Sequence, residues 1–152
     1  MGAEARLQEL GIELPNPPAP VANYVRYVRV GNLLFLSGHG PDRNGVEPWA
    51  GSVPTEVSVE EAYKAARSTG LNLLASTREA LGSLDRVKRI VKVLGMVNSA
   101  DGFGDQPAVI NGFSDLMVEV FGEAGRHARS AVGMAALPMR IPVEIEMILE
   151  VE

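Results

Sequence analysis

The 152-residue chain contains no cysteine, which excludes a disulfide framework and every thiolate metal site. It has only two histidines, His39 and His127, and nothing around them has metal-ligand spacing, so no metal site is expected. Positive charge is also scarce, with 14 Lys and Arg against 19 Asp and Glu, a formal net charge of −5. Non-specific nucleic-acid binding draws its energy from clustered basic side chains, so a large phosphate-backbone footprint is not expected. The densest basic run, "DRVKRIVK" at 85–92, alternates faces on a strand and reads as a solvated edge. The N-terminal "MGAEARLQEL" carries acidic residues and no long apolar run, so neither a secretion signal nor a membrane span is expected, and a cytoplasmic protein follows. No glycine-rich phosphate loop or nucleophile elbow is present.

What is there fits one domain over residues 1–152, opened by a short amphipathic helix and the stiff lead-in "ELPNPPAP", together residues 1–20. "YVRYVRVGNLLFLSG" reads as two strands joined by a tight Gly31-Asn32 turn, with Val25, Tyr27 and Arg29 on one face. Ser58 and Glu61 form a capping box at the start of a helix whose buried stripe is Tyr63, Ala66, Gly70, Leu73, Thr77 and Leu81, with Gly82 past its end. "RIVKVLGMVNS" is a strand. A second helix follows over "QPAVINGFSDLMVEVFG", with Pro107 in its first turn, Gly122 beyond it, and Asn111, Ser114 and Asp115 on its exposed face. Two strands close the chain, giving β-β-α-β-α-β-β, an α+β layer with two helices on one face of one mixed sheet.

This order leaves a deficit. Residues 131–137 are apolar on both faces of a strand, so the second face of the sheet, carrying Val132, Met134 and Ala136 or their neighbours, needs cover that two helices cannot give. Another subunit or the N-terminal segment must supply it. In "VEIEMILEVE", Val143, Ile145, Met147, Leu149 and Val151 share the core face, and Glu144, Glu146, Ile148, Glu150 and Glu152 share the other. Glu144 and Glu146 then border an oligomer-facing surface, where a carboxylate is either paired or raised in pKa. Arg129 is available as a partner, and a structural ion pair and a functional site remain equally open readings of it.

"GNLLFLSGHGP", "GRHARSAVGMAALP" and "VEIEMILEV" together resemble the Rid family of reactive-intermediate deaminases, also called YjgF-like or liver perchloric-acid-soluble proteins, from about Tyr24 onward. The resemblance implies a chorismate-mutase-like subunit in a homotrimer whose sheets form a central barrel, with a ligand cleft at each subunit interface. It implies hydrolytic deamination of 2-enamino or 2-imino acids to 2-keto acid and ammonia, without a cofactor. Arg129 would hold the substrate carboxylate and Glu144 would serve the attacking water. A guanidinium offers the planar two-pronged fork that this requires. Ser37 and Gly38 would lend backbone groups, and Tyr24 matches an aromatic position near the cleft that reads equally well as a packed strand residue. Two positions depart from the family pattern: His39 stands where many members have glutamine, and Ala131 where some have cysteine. His39 is open to reading as an extra acid/base group or as a structural histidine. The loop from Gly40 to Pro54 is longer than in short members, which places the chain nearer a longer subgroup. Two other function classes stay in view: a carboxylate-binding or regulatory trimer without turnover, and an endoribonuclease or translation inhibitor, which the acidic balance disfavours.

Overall fold

A computed structural model describes residues 2–42 and 49–152. The elements run α1 (Ala3–Leu10), β1 (Tyr27–Val30), β2 (Leu33–His39), α2 (Val59–Leu81), β3 (Val87–Asn98), α3 (Gln106–Phe121), β4 (Ala128–Met134) and β5 (Val143–Val151). The loop expected to be long, between Gly40 and Pro54, includes positions 43–48, which lie outside the described residues.

Local sequence sets most boundaries. Gly31 takes φ 60° in the turn that joins β1 to β2. Ser58 caps α2 by accepting from the Glu61 amide, but the Glu61 carboxylate does not complete the box; it accepts from Trp49 and Lys64 instead. Pro107 sits in the first turn of α3, where its missing amide hydrogen costs nothing.

The sheet order is β1-β2-β5-β3-β4, antiparallel throughout except for the parallel β3–β4 pair that α3 connects. Helices α2 and α3 cover one face. Their crossing is close because Gly112 of α3 lies on the backbone of α2; a Cβ there would stand 2.0 Å from the Tyr63 carbonyl oxygen. Beneath them Val143, Ile145, Met147, Leu149 and Val151 of β5 are buried with Val93 and Val97 of β3 and Leu34 and Leu36 of β2, as the alternation predicts. The expected helix stripe is buried except at Tyr63, which is half-exposed and donates to Asp115. The N-terminal helix is more than a lead-in. Leu7 is buried against the core, Arg6 donates to the Glu119 carbonyl, and Glu4 receives two hydrogen bonds from Arg78, which hold its carboxyl below the usual range.

The opposite face of the sheet has no layer over it among the described residues. Val28, Val30, Phe35 and Val132 stand there between 37 and 61 % exposed, beside Leu94, Met96 and Ile148. The deficit read from the sequence is therefore present. The strand expected over 131–137 ends earlier, at Met134, so Ala136 is not part of the sheet. The chain must there leave the edge strand and cross the end of β3 to enter β5. It does so through a turn at Pro138–Arg140, with Met139 and Arg140 left-handed and Pro142 accepting from the Asn98 amide.

Candidate functional site

Glu144 lies on the open face, opposite Met96 of β3, between the fully buried Val143 and Ile145. Its carboxylate rests on Gly38 of β2. A Cβ at Gly38 would stand 2.7 Å from Glu144 Oε2 and 3.0 Å from Cδ, so this close approach requires glycine. No hydrogen bond or ion pair reaches the carboxylate among the described residues. Partial burial, with the neighbouring Glu146 charge added, pushes Glu144 above the ordinary glutamate range. A carboxyl raised in this way holds a proton more readily than an ordinary surface glutamate, which suits it to proton transfer.

Ser37 is spent on structure: its hydroxyl donates to the Val25 carbonyl at 2.6 Å and its amide to the Arg26 carbonyl, lashing β2 to the segment before β1. Tyr24 stands in that segment, outside any strand and 43 % exposed. His39 faces the other way. It is buried beneath α2, with Nδ1 2.7 Å from the Ser37 carbonyl and Nε2 2.8 Å from Ser76 Oγ, and burial, helped by the Arg26 charge, lowers its pKa. A carbonyl only accepts, so Nδ1 carries the proton and Nε2 accepts from the Ser76 hydroxyl. Both ring nitrogens are committed within the fold, which favours the structural reading of His39 over the acid/base one.

Arg129 does not pair with Glu144. It lies opposite the buried Val93 in the β3–β4 register, hence on the helix side of edge strand β4, with Ala131 two residues along the same face. Its guanidinium donates to Ser114 Oγ at 2.9 Å and to the Pro107 carbonyl at 3.3 Å, both on α3. The two residues that sequence reasoning joined are thus on opposite faces of one sheet, and a single chain does not bring them together. Ser114, expected on the exposed face of its helix, is half-buried and contacts both Arg129 and His127. Only its two-turn spacing from Pro107 along α3 gave a hint. A shallow groove of about 390 Å³ between α1, the start of β3 and the end of α3 is lined by none of these residues.

Residues 4–149 match the family described as "YjgF/chorismate_mutase-like, putative endoribonuclease". The chain belongs to the YjgF/Rid family. Among YjgF/Rid relatives it is 46 % identical over 147 residues to Protein TCP17 of Trypanosoma cruzi, covering 96 % of this chain and 92 % of that one. It is 33 % identical over 137 residues to the 2-iminobutanoate/2-iminopropanoate deaminase of Escherichia coli K12, covering 90 % and 94 %. The crystal structure of "a putative endoribonuclease" from Shewanella oneidensis MR-1 superposes with a TM-score of 0.94 at 34 % identity, covering 99 % and 100 %. The three α-helices and five-stranded mixed sheet of the described residues, with α2 and α3 on one face, are the YjgF/Rid chorismate-mutase-like fold. Among the described residues no helix is long and apolar enough to cross a membrane, and no cluster of side chains has the makings of a metal site.

Proposed function

We propose that the chain is a hydrolytic deaminase of reactive 2-imino and 2-enamino acids, acting at clefts between copies of itself. The observation that carries this reading is the Glu144 carboxylate, seated on Gly38, without a charge partner among the described residues, on a face that none of them covers, and raised in pKa. The deaminase relatives at 32–33 % identity support it. In the proposed step water adds to C2 of the imino acid, Glu144 takes the water proton and returns it to nitrogen, and the carbinolamine expels ammonia to leave the 2-keto acid. An enamine first gains a proton on C3 and gives one up from nitrogen to the solvent, and so enters as the imine. Every atom is supplied by substrate and water, so the step needs no cofactor.

Arg129 would hold the substrate carboxylate. Because it stands on the far side of the sheet from Glu144, the cleft is formed by the open face of one copy and the β4 edge of another. A homotrimer with its sheets turned inward as a barrel meets that need and covers Val28, Val30, Phe35 and Val132. In this arrangement Gly38 keeps the carboxylate in place, and Tyr24, Ser37 and Ala131 shape the walls.

The endoribonuclease reading finds less support. Its cleavage step is usually run by paired acid/base groups, yet both histidines are hydrogen-bonded inside the fold and neither contacts the other. The deciding experiment generates 2-iminobutanoate in situ with an amino-acid oxidase and follows its decay and ammonia release. Catalysed decay is expected. Decay at the buffer rate across a range of protein concentrations refutes the deaminase reading.

A further inference from the structure

His127 Nδ1 lies 2.7 Å from the Gly125 carbonyl oxygen, and a carbonyl has no proton to give. The ring therefore carries its proton on Nδ1. Burial, reinforced by the Arg129 charge, lowers its pKa and so favours the neutral ring, whose Nε2 is left as an acceptor. Ser114 Oγ lies 2.9 Å from that nitrogen, so the hydroxyl proton points at His127. The serine oxygen then has lone pairs free for the Arg129 guanidinium, 2.9 Å away. The direction of every bond is fixed: Arg129 donates to Ser114, Ser114 to His127, and His127 to the Gly125 carbonyl.

The chain of bonds has firm supports at both ends. An edge-to-face contact with Phe113, centroids 5.7 Å apart, holds the imidazole ring. Pro107, two turns before Ser114 on α3, gives the guanidinium its second anchor. Two of the five guanidinium N–H groups are thereby bound to one rigid helix, and among the described residues nothing takes up the other three, which can serve a ligand. An arginine on an edge strand would otherwise sample many rotamers, and ordering it would weaken binding.

We propose that Ser114 and His127 are positioning residues for Arg129, forming a one-way hydrogen-bond relay that preorients its free N–H groups toward a carboxylate. The inference rests on the reading of Arg129 as substrate anchor. Neither residue touches the reacting atoms; His127 acts only through Ser114, and Ser114 only through Arg129.

The test is titration of the full chain with 2-oxobutanoate by ligand-observed NMR, with thermal melts to check folding. Ser114→Ala is expected to weaken binding about tenfold, the scale of one lost hydrogen bond to a charged group. Ser114→Thr keeps the hydroxyl and should stay within about threefold of wild type. His127→Phe keeps the ring against Phe113 but removes the acceptor, and should weaken binding about threefold. In a series relay the double variant Ser114→Ala/His127→Phe binds no worse than Ser114→Ala alone. In the deamination assay the same variants should raise KM and leave kcat nearly unchanged. Arg129→Lys separates the anchor from the relay. If it binds as tightly as wild type, the anchor reading fails and the relay with it. If it loses binding while Ser114→Ala or His127→Phe retains it in full, or if the single losses add in the double variant, the relay alone is refuted.

Discussion

Gly38→Ala places one methyl group against the proposed catalytic carboxylate, whose atoms are its three nearest neighbours. The new Cβ would be 2.7 Å from Glu144 Oε2, 3.0 Å from Cδ and 3.2 Å from Cγ. Ordinary carbon contacts need about 3.5 Å, so the carboxylate must retreat by roughly 0.5–0.8 Å. A misplacement near 1 Å costs on the order of a hundredfold in rate, which sets the expected loss of kcat at about tenfold to a hundredfold. Stability should hardly change. Gly38 is not among the positive-φ glycines, so alanine gains about 0.4–1 kcal/mol from a less flexible unfolded chain. That gain is offset by about 0.5–1.5 kcal/mol for moving Glu144 off its preferred rotamer. Gly95→Ala is the converse control. There a Cβ meets three atoms of the buried Ile110 side chain at 2.7–2.8 Å, so the fold loses about 1–3 kcal/mol while each folded molecule keeps its turnover. The assay pairs keto-acid formation from an in-situ imino acid with a thermal melt. Turnover of Gly38→Ala within twofold of wild type refutes the assignment of Glu144, and so does a loss of activity that merely follows a loss of folded protein.

Glu144→Gln should cut turnover by about a hundredfold with little change in keto-acid affinity, and intact turnover would end the proposed mechanism. The base must be ionised to take a proton from water, so kcat/KM should fall on acidification through a pKa above the ordinary glutamate range; Glu146→Gln removes a neighbouring negative charge and should move that limb to lower pH, whereas an unmoved limb excludes Glu144 as its source. Gly112→Ala drives a methyl onto the Tyr63 carbonyl and should cost about 3 kcal/mol or more, lowering the melting midpoint by roughly 10 °C; a midpoint within two degrees of wild type contradicts the close crossing of α2 and α3. Light scattering at micromolar concentration should give the mass of a trimer, and a stable monomer would remove the reason for the uncovered face.

The readable parts of the fold were those governed by local chemistry. Ser58, Gly31-Asn32, Pro107 and the alternation of β5 each act within a few residues, and each fell where its physics placed it. What escaped depends on register and on chain crossing. Whether Arg129 points with Glu144 or away from it is set by the pairing of Val93 with Arg129 and of Met96 with Glu144, a non-local choice in which one residue of slip reverses the answer. The run after Met134 looked like more strand because it is apolar, but its residues line a crossover over the end of β3. Ser114 was opaque for a similar reason. A single serine on a mostly apolar helix looks like solvent-facing polarity until strand β4 brings a histidine and an arginine to it.

The place of β5 in the sheet bears on how the chain is made. It is last in chain order yet sits between β2 and β3, pairing with both. Synthesis runs from the N-terminus, so a nascent chain can form the β1–β2 hairpin and the β3–α3–β4 unit before anything joins them. Until Val143–Val151 clears the ribosome, both halves carry unpaired inner edges and an unsealed core. A premature stop between the end of β4 and residue 143 therefore removes the keystone of the sheet and leaves one chain with two unjoined, sticky sheet halves, where loss of an edge strand would leave a trimmed but closed core.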